Sequence, residues 1–396
     1  MRYRKSLALL IILLLGAFLV GCSNVTNTDQ EEEQANEPEQ EEAVEEEPEE
    51  EPEPPEPEVI ENEITISAVG DMLIHERVYD DARTEDGFDF VPMLEDVEPF
   101  LNDSTITFAN QETMIGGEEI GLSTYPAFNS PTEVGDALKA VGVDVVSIAN
   151  NHTLDRGEQA IMNSLDHWDK INMMYVGSYR DEEDRKTLRV YETEEGIDVA
   201  FLAYTYGTNG IPVPDSKDYL VNLIDQEIMM ADIAEAKEQS DIVILSLHFG
   251  DEYERLPNQE QKDLVQLAAD LGVDAVLGHH PHVLQPMEWV EGKDGHKTLA
   301  IYSLGNFLSG QEEYYRQVGG ILKFKFKQTI IEDEETIELI EPQFMPTFVT
   351  AHSGYKYKVL PMYQLTDAEL PDAANLYNEI KEHMSQWLPE LEFMEP

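Results

Sequence analysis

The stretch 273-VDAVLGHHPHVLQP-286 runs from a short apolar segment straight into three histidines within four positions. Its first half has the aliphatic, Gly-ended character of a buried strand. Polar groups just past the carboxyl end of such a strand lie where open α/β sheets bind their ligands. In His280-Pro281-His282 two imidazoles stand one residue apart. In an extended loop alternate side chains point the same way, so both are expected to face one metal site while the proline stiffens the loop. His279 is expected to face the other side as a supporting or packing residue, and an exchange of roles with His280 stays open.

The same design recurs along the chain. The runs 64-ITISAVG-70, 104-STITFAN-110, 143-VDVVSIAN-150, 198-DVAFLAY-204, 241-DIVILSLH-248 and 298-TLAIYSLGN-306 also read as buried strands. Between them, 132-TEVGDALKAVG-142, 157-GEQAIMNSLDHWDKI-171, 223-LIDQEIMMADIAEAKEQ-239 and 257-PNQEQKDLVQLAADLG-272 carry helical spacing. This alternation predicts an α/β layered domain with helices covering a largely parallel or mixed sheet. The later runs 320-GILKFKFKQ-328 and 336-TIELIEPQFM-345 predict an antiparallel pair with one solvated face, and a helix is expected near residues 367–387.

Five strands end in polar groups of one kind. They lead into Asp71, into Asn110-Gln111-Glu112, into Asn150-Asn151-His152, into His248, and into His279-His280-Pro281-His282. Singly, each residue has an ordinary structural use as a turn, a cap or a satisfied core group. Together, carboxylates, amides and neutral imidazoles form the ligand set of a divalent metal such as Mn, Fe, Zn or Co. Without a metal, a dry site of this kind would leave its carboxylates unpaired at high cost.

Six segments carry a resemblance to a known family: GDMLIH (70–75), FANQET (108–113), ANNHTLDRG (149–157), LHFGDEY (247–253), GHHPHV (278–283) and YSLGNF (302–307). In order and spacing they resemble the CapA/PgsA proteins of bacterial capsule, or poly-γ-glutamate, synthesis, which are similar to calcineurin-like metallophosphatases. The resemblance implies a four-layer α/β/β/α metallophosphoesterase-like sandwich holding one or two divalent ions, Mn, Fe or Zn. Carried over, Asp71 is a ligand of the first metal, Glu112 the bridging carboxylate and Asn151 a ligand of the second. His248, His280 and His282 supply the remaining imidazoles, and His152 protonates the leaving group or steadies transition-state oxygens. Asn110, Asn150, His279 and Asn306 support the ligands or meet substrate. Two departures stand out. The usual Asp-x-His opening is here Asp71-Met72-Leu73, with a histidine only at His75, and the bridging position holds Glu112 in place of Asp.

Net charge is −57, with 82 acidic against 25 basic side chains, which excludes nucleic acid as a partner because phosphates would be repelled. Part of the excess sits before residue 64, in a Glu- and Pro-rich segment without Lys or Arg. That segment is expected to be a disordered acidic stalk. Residues 1–21 read as a secretion signal ending in Leu19-Val20-Gly21, followed by Cys22, the single cysteine, at the position where bacterial lipoproteins are lipidated. The expected order is therefore signal (1–21), acidic linker (22–63), CapA-like metallophosphoesterase-fold domain (64–360) and helical extension (361–396), in an extracytoplasmic protein anchored to the membrane through Cys22. The expected partners are an anionic polymer, poly-γ-glutamate or its precursor, and membrane-embedded synthetase subunits. Two main functions compete: a metal-dependent hydrolase or transferase acting on the polymer or its linkage, and a non-catalytic assembly or export factor on the same scaffold. A germination or sporulation lipoprotein of this fold is a third.

Overall fold

The computed structural model describes residues 58–332, 334–352 and 355–395. The signal segment, Cys22 and the linker up to residue 57 lie outside them. In chain order the first strands are β1 (Val59–Leu73), β2 (Ile106–Asn110), β3 (Val145–Ser147), β4 (Met174–Val176), β5 (Arg189–Glu192), β6 (Asp198–Thr205) and β7 (Ile242–His248). They are followed by β8 (Ala275–His279), β9 (Leu284–Glu291), β10 (Lys297–Leu304), β11 (Asn306–Ser309), β12 (Val318–Ile331), β13 (Glu334–His352), β14 (Tyr355–Pro361) and β15 (Glu392–Phe393).

Two sheets form. One is ordered β14-β13-β12-β1-β2-β3-β4, with β11 beside β1 and β15 beside β13, and the other is ordered β5-β6-β7-β8-β10-β9. β1 through β4 run parallel, as do β6, β7 and β8, whereas β12 and β13 make the expected antiparallel pair.

Strand alternation sorts the side chains into layers. Ala68, Phe108 and Val145 point inward and join Val199, Phe201, Ile244 and Leu277 of the second sheet in the core between the sheets. Their neighbours Val69, Ala109 and Val146 point outward, against residues of the helices Glu133–Ala140 and Gly157–Lys170. On the far side, Ala200, Leu202 and Leu245 meet Met229, Ile233 and Leu264 of the helices Gln226–Gln239 and Gln259–Asp270. The result is the four-layer α/β/β/α sandwich.

The strands are held level at their amino ends by a repeated device. Asp144, Asp241 and Asp274 each precede a strand, and their carboxylates accept from the backbone N–H groups of Thr107, Asp198 and Val243 on the neighbouring strand. At the carboxyl ends, two glycines allow main chains to touch. A Cβ on Gly70 would lie 2.0 Å from the Gly305 carbonyl oxygen, and one on Gly278 would lie 2.1 Å from that of Tyr302. Asp71 and His279 follow directly, so the close approach sets where the polar residues begin.

Two expected boundaries shift. β1 starts at Val59, and residues 59–63, expected in the acidic linker, pair with 327–331 of β12. The strand partner overrides composition here, because Lys325 and Lys327 face Glu63 and Glu61 across the sheet. The residues after 361 are integral to the sandwich. The helix Ala373–Ser385 sends Tyr377, Ile380 and Met384 into the inter-sheet core, and β15 adds to β13.

Candidate metal centre

The polar residues that sequence placed past the strand ends converge where the carboxyl edges of the two sheets meet. Asp71 is paired in register with Asn110 on β2 and with Asn306 on β11. His248 and His279 stand side by side on β7 and β8. Asp71, Asn110, Glu112, Asn150, Asn151, His152, His248, His279, His280, His282 and Asn306 are all buried.

Glu112, His280 and His282 offer ligand atoms that all lie within 4.8 Å of one another. Around this triad the remaining residues form two lobes. In one, Asn110 Nδ2 donates to Asp71 Oδ1 at 2.8 Å, while His282 Nδ1 lies 3.1 Å from Asp71 Oδ2 and 3.2 Å from Asn306 Oδ1. In the other, His248 Nε2 donates to Asn151 Oδ1 at 2.8 Å and lies 3.6 Å from Glu112 Oε1, and the His248 and His280 rings stand 4.9 Å apart.

His279 is the histidine left out of the triad. Its ring packs 6.1 Å from Phe108, and its Nδ1 is 3.5 Å from Asp71 Oδ1. His75 is half-buried beside Phe128, with Nδ1 3.0 Å from the Leu73 carbonyl oxygen, and burial holds it down at about 4. It does not belong to the triad.

The donor set fits a divalent cation. Both Glu112 oxygens and His280 Nδ1 are buried without a hydrogen-bond partner among the described residues. The imidazole nitrogens of His248 and His282 nearest Glu112 are 3.6 Å away, beyond hydrogen-bond reach. A carboxyl kept dry and unpaired is costly unless a charge completes it.

In the metal-free site, burial and neighbouring charge set the protonation states. Burial pushes the Glu112 carboxyl well above its usual range. Burial also opposes ionisation of Asp71, but the adjacent imidazoles of His279 and His282 outweigh it and hold that carboxyl well below. Burial works against a charged His282 too, yet the neighbouring Glu112 and Asp71 carry it up to about 9. His280, by burial and then the His282 charge, falls to about 3, and burial likewise holds His248 well below the usual range. Both are therefore neutral imidazoles, the form that binds metals, and His280 Nδ1 has no partner among the described residues.

The loop geometry corrects the extended HPH expectation. His280 and His282 have φ of 98° and 59°, so the segment turns sharply through the left-handed region. Holding non-glycine residues there costs on the order of 1–3 kcal/mol each, and such strain clusters at functional sites. The two rings still reach one place, with centroids 5.8 Å apart.

His152 stands at the edge of this cluster and is organised by residues the sequence did not single out. Its Nδ1 donates to Asp155 Oδ2 at 2.7 Å, and the same oxygen accepts from Phe128 N at 2.7 Å. The Phe128 ring packs edge-on against the imidazole at 4.7 Å. Asn150 fixes the turn, accepting from His152 N at 2.9 Å and donating to the Gln111 carbonyl at 3.0 Å. At the mouth, half-exposed Tyr206 lies 4.7 Å from His280, and Tyr253, 6.2 Å from His282, carries the Arg316 guanidinium at 3.6 Å. Asp155 and Tyr253 were legible as parts of the ANNHTLDRG and LHFGDEY runs, but nothing local marks Tyr206.

Residues 65–311 match the family model of the bacterial capsule synthesis protein PGA_cap. The chain belongs to that family. Among relatives of this PGA_cap chain, the PGA biosynthesis protein CapA of Bacillus subtilis is 31% identical over 259 residues, covering 63% of this chain and 64% of that one. The capsule biosynthesis protein CapA of Bacillus anthracis is 29% identical over 264 residues, covering 63% and 61%. The matched region thus spans less than two thirds of either relative. A Staphylococcus aureus structure described as a candidate 5'-nucleotidase, in complex with alpha-ketoglutarate, superposes with a TM-score of 0.39 at 12% identity, over 81% of this chain and 58% of that one. That likeness is too loose to bear on function.

Proposed function

We propose that the protein acts in the biosynthesis of an extracellular capsule or poly-γ-glutamate as a metal-dependent hydrolase or transferase on the polymer or its linkage. The observation that carries this is the buried Glu112 carboxyl, unpartnered and faced by imidazoles, with the His152–Asp155 pair beside it. Glu112, His280 and His282 would hold an ion of Mn, Fe or Zn. Asp71, Asn151 and His248 would complete the coordination of one or two ions. A bound divalent ion supplies positive charge against the negative charge that develops on a carbonyl or phosphoryl oxygen, and it makes water more acidic.

The chain's own residues do the rest. Asp155 accepts from His152 Nδ1 and so leaves Nε2 to exchange a proton with substrate, the arrangement of an oriented general acid. Phe128 screens that pair from water. Support for an extracytoplasmic, membrane-anchored location comes from the signal and the Cys22 position in the sequence. Among the described residues no helix is long and apolar enough to cross a membrane.

The test is restoration of polymer in a capsule-forming host lacking its own relative. Wild type should restore it, and Glu112→Gln and His152→Ala should not. Restoration by both variants, folded and expressed, would leave a non-catalytic assembly role.

A further inference from the structure

The loop 205–211 crosses the mouth of the metal centre and was not singled out by its sequence. It contains a tight turn. Ile211 N donates to the Thr208 carbonyl at 2.9 Å, and the two central residues, Asn209 and Gly210, have φ of 51° and 77°. Positive φ at both positions is the type I′ geometry that the Asn-Gly dipeptide favours. The loop is also tied to the site by its main chain, since Tyr206 N donates to the His248 carbonyl at 3.0 Å.

The turn delivers one side chain inward. Asn209 Oδ1 accepts from Asn151 Nδ2 at 3.2 Å, and Asn209 Nδ2 lies 3.4 Å from His152 Nδ1. An amide has one acceptor end and one donor end, and the partners decide which way it points. With its NH₂ occupied by Asn209, Asn151 turns its oxygen toward His248 Nε2, on the side where Glu112 lies. An amide flipped the other way would present N–H groups, which cannot hold a cation.

We propose that Asn209 is a positioning residue that fixes the Asn151 oxygen toward the metal centre. This rests on the metal-centre reading given above. Residues that orient a ligand from behind typically change metal affinity by roughly 10- to 100-fold when removed.

Two substitutions separate this role from that of the turn. Asn209→Gly keeps the positive φ and deletes the side chain, while Asn209→Asp keeps both the turn and an acceptor for Asn151 Nδ2. Mn²⁺ affinity of the full chain and both variants is measured by calorimetric titration after chelation, with melting temperature as the folding check. The inference expects Asn209→Gly to bind at least tenfold more weakly and Asn209→Asp to stay within about threefold of wild type. Wild-type affinity in Asn209→Gly, or equal weakening in both variants, overturns it. A wild type that binds no Mn²⁺, Fe²⁺ or Zn²⁺ overturns the metal-centre reading and this inference with it, whereas a binding wild type beside an unaffected Asn209→Gly overturns this inference alone.

Discussion

Glu112→Leu makes an unusual demand on the site: removing the carboxyl proposed to hold the metal should stabilise the metal-free protein. Glu112 is fully buried and neither of its oxygens has a hydrogen-bond partner among the described residues. A buried polar group left unsatisfied costs about 1–3 kcal/mol. Leucine of similar size removes that cost, and His282 keeps Asp71 at 3.1 Å as its partner. For 150–250 residues, 1 kcal/mol moves the melting temperature by roughly 2–4 °C, and less in a larger domain. Metal-free Glu112→Leu should therefore melt on the order of 1–6 °C above metal-free wild type. Added metal should reverse the order. At a free metal concentration 1,000 times the dissociation constant, wild type gains about 4.1 kcal/mol, a gain the variant lacks. Differential scanning calorimetry of both proteins, with chelator and with Mn²⁺, reads all four values. A Glu112→Leu protein less stable than metal-free wild type, or one that gains as much from Mn²⁺, would refute the reasoning.

Three other outcomes follow from the same geometry. His152→Ala should keep the wild-type metal content and lose roughly 10²–10⁴-fold in turnover once a substrate is in hand, because His152 is paired with Asp155 outside the triad; a parallel loss of metal would contradict that placement. A chain beginning at residue 64 should be less stable than one beginning at residue 58 by about 1–5 kcal/mol in urea unfolding, since it loses the pairing of residues 59–63 with β12 at about 0.2–1 kcal/mol per cross-strand pair; equal midpoints would show that this part of β1 contributes nothing. Gly70→Ala should destabilise by at least about 1–3 kcal/mol, because its Cβ meets the Gly305 carbonyl oxygen at 2.0 Å and that contact is backbone on both sides; an unchanged melting temperature would contradict the close crossing of the two chains.

Much of this architecture could be read from the sequence because strands buried on both faces leave a strong local signal. Segments such as 241-DIVILSLH-248 and 273-VDAVLGH-279 show it, and both ended in the residues expected. The convergence of Asp71, Glu112, Asn151, His248, His280 and His282 was also legible, since a parallel sheet gathers its carboxyl ends at one edge. Less legible was anything set by a distant partner. Acidic residues 59–63 look like linker until β12 supplies lysines opposite them. The HPH loop looked extended, but its φ values depend on the packing of the edge it joins. Asn209 carries the local mark of an Asn-Gly turn, while its function depends on Asn151, 58 residues earlier.

The central claim is that this edge of the sandwich is a metal centre. Elemental analysis of the purified protein, prepared without chelator beside its Glu112→Gln variant, tests it most directly. The account predicts one or two equivalents of Mn, Fe or Zn in wild type and a sharp fall in the variant. A folded wild type that carries no metal and takes up none when it is offered would contradict it.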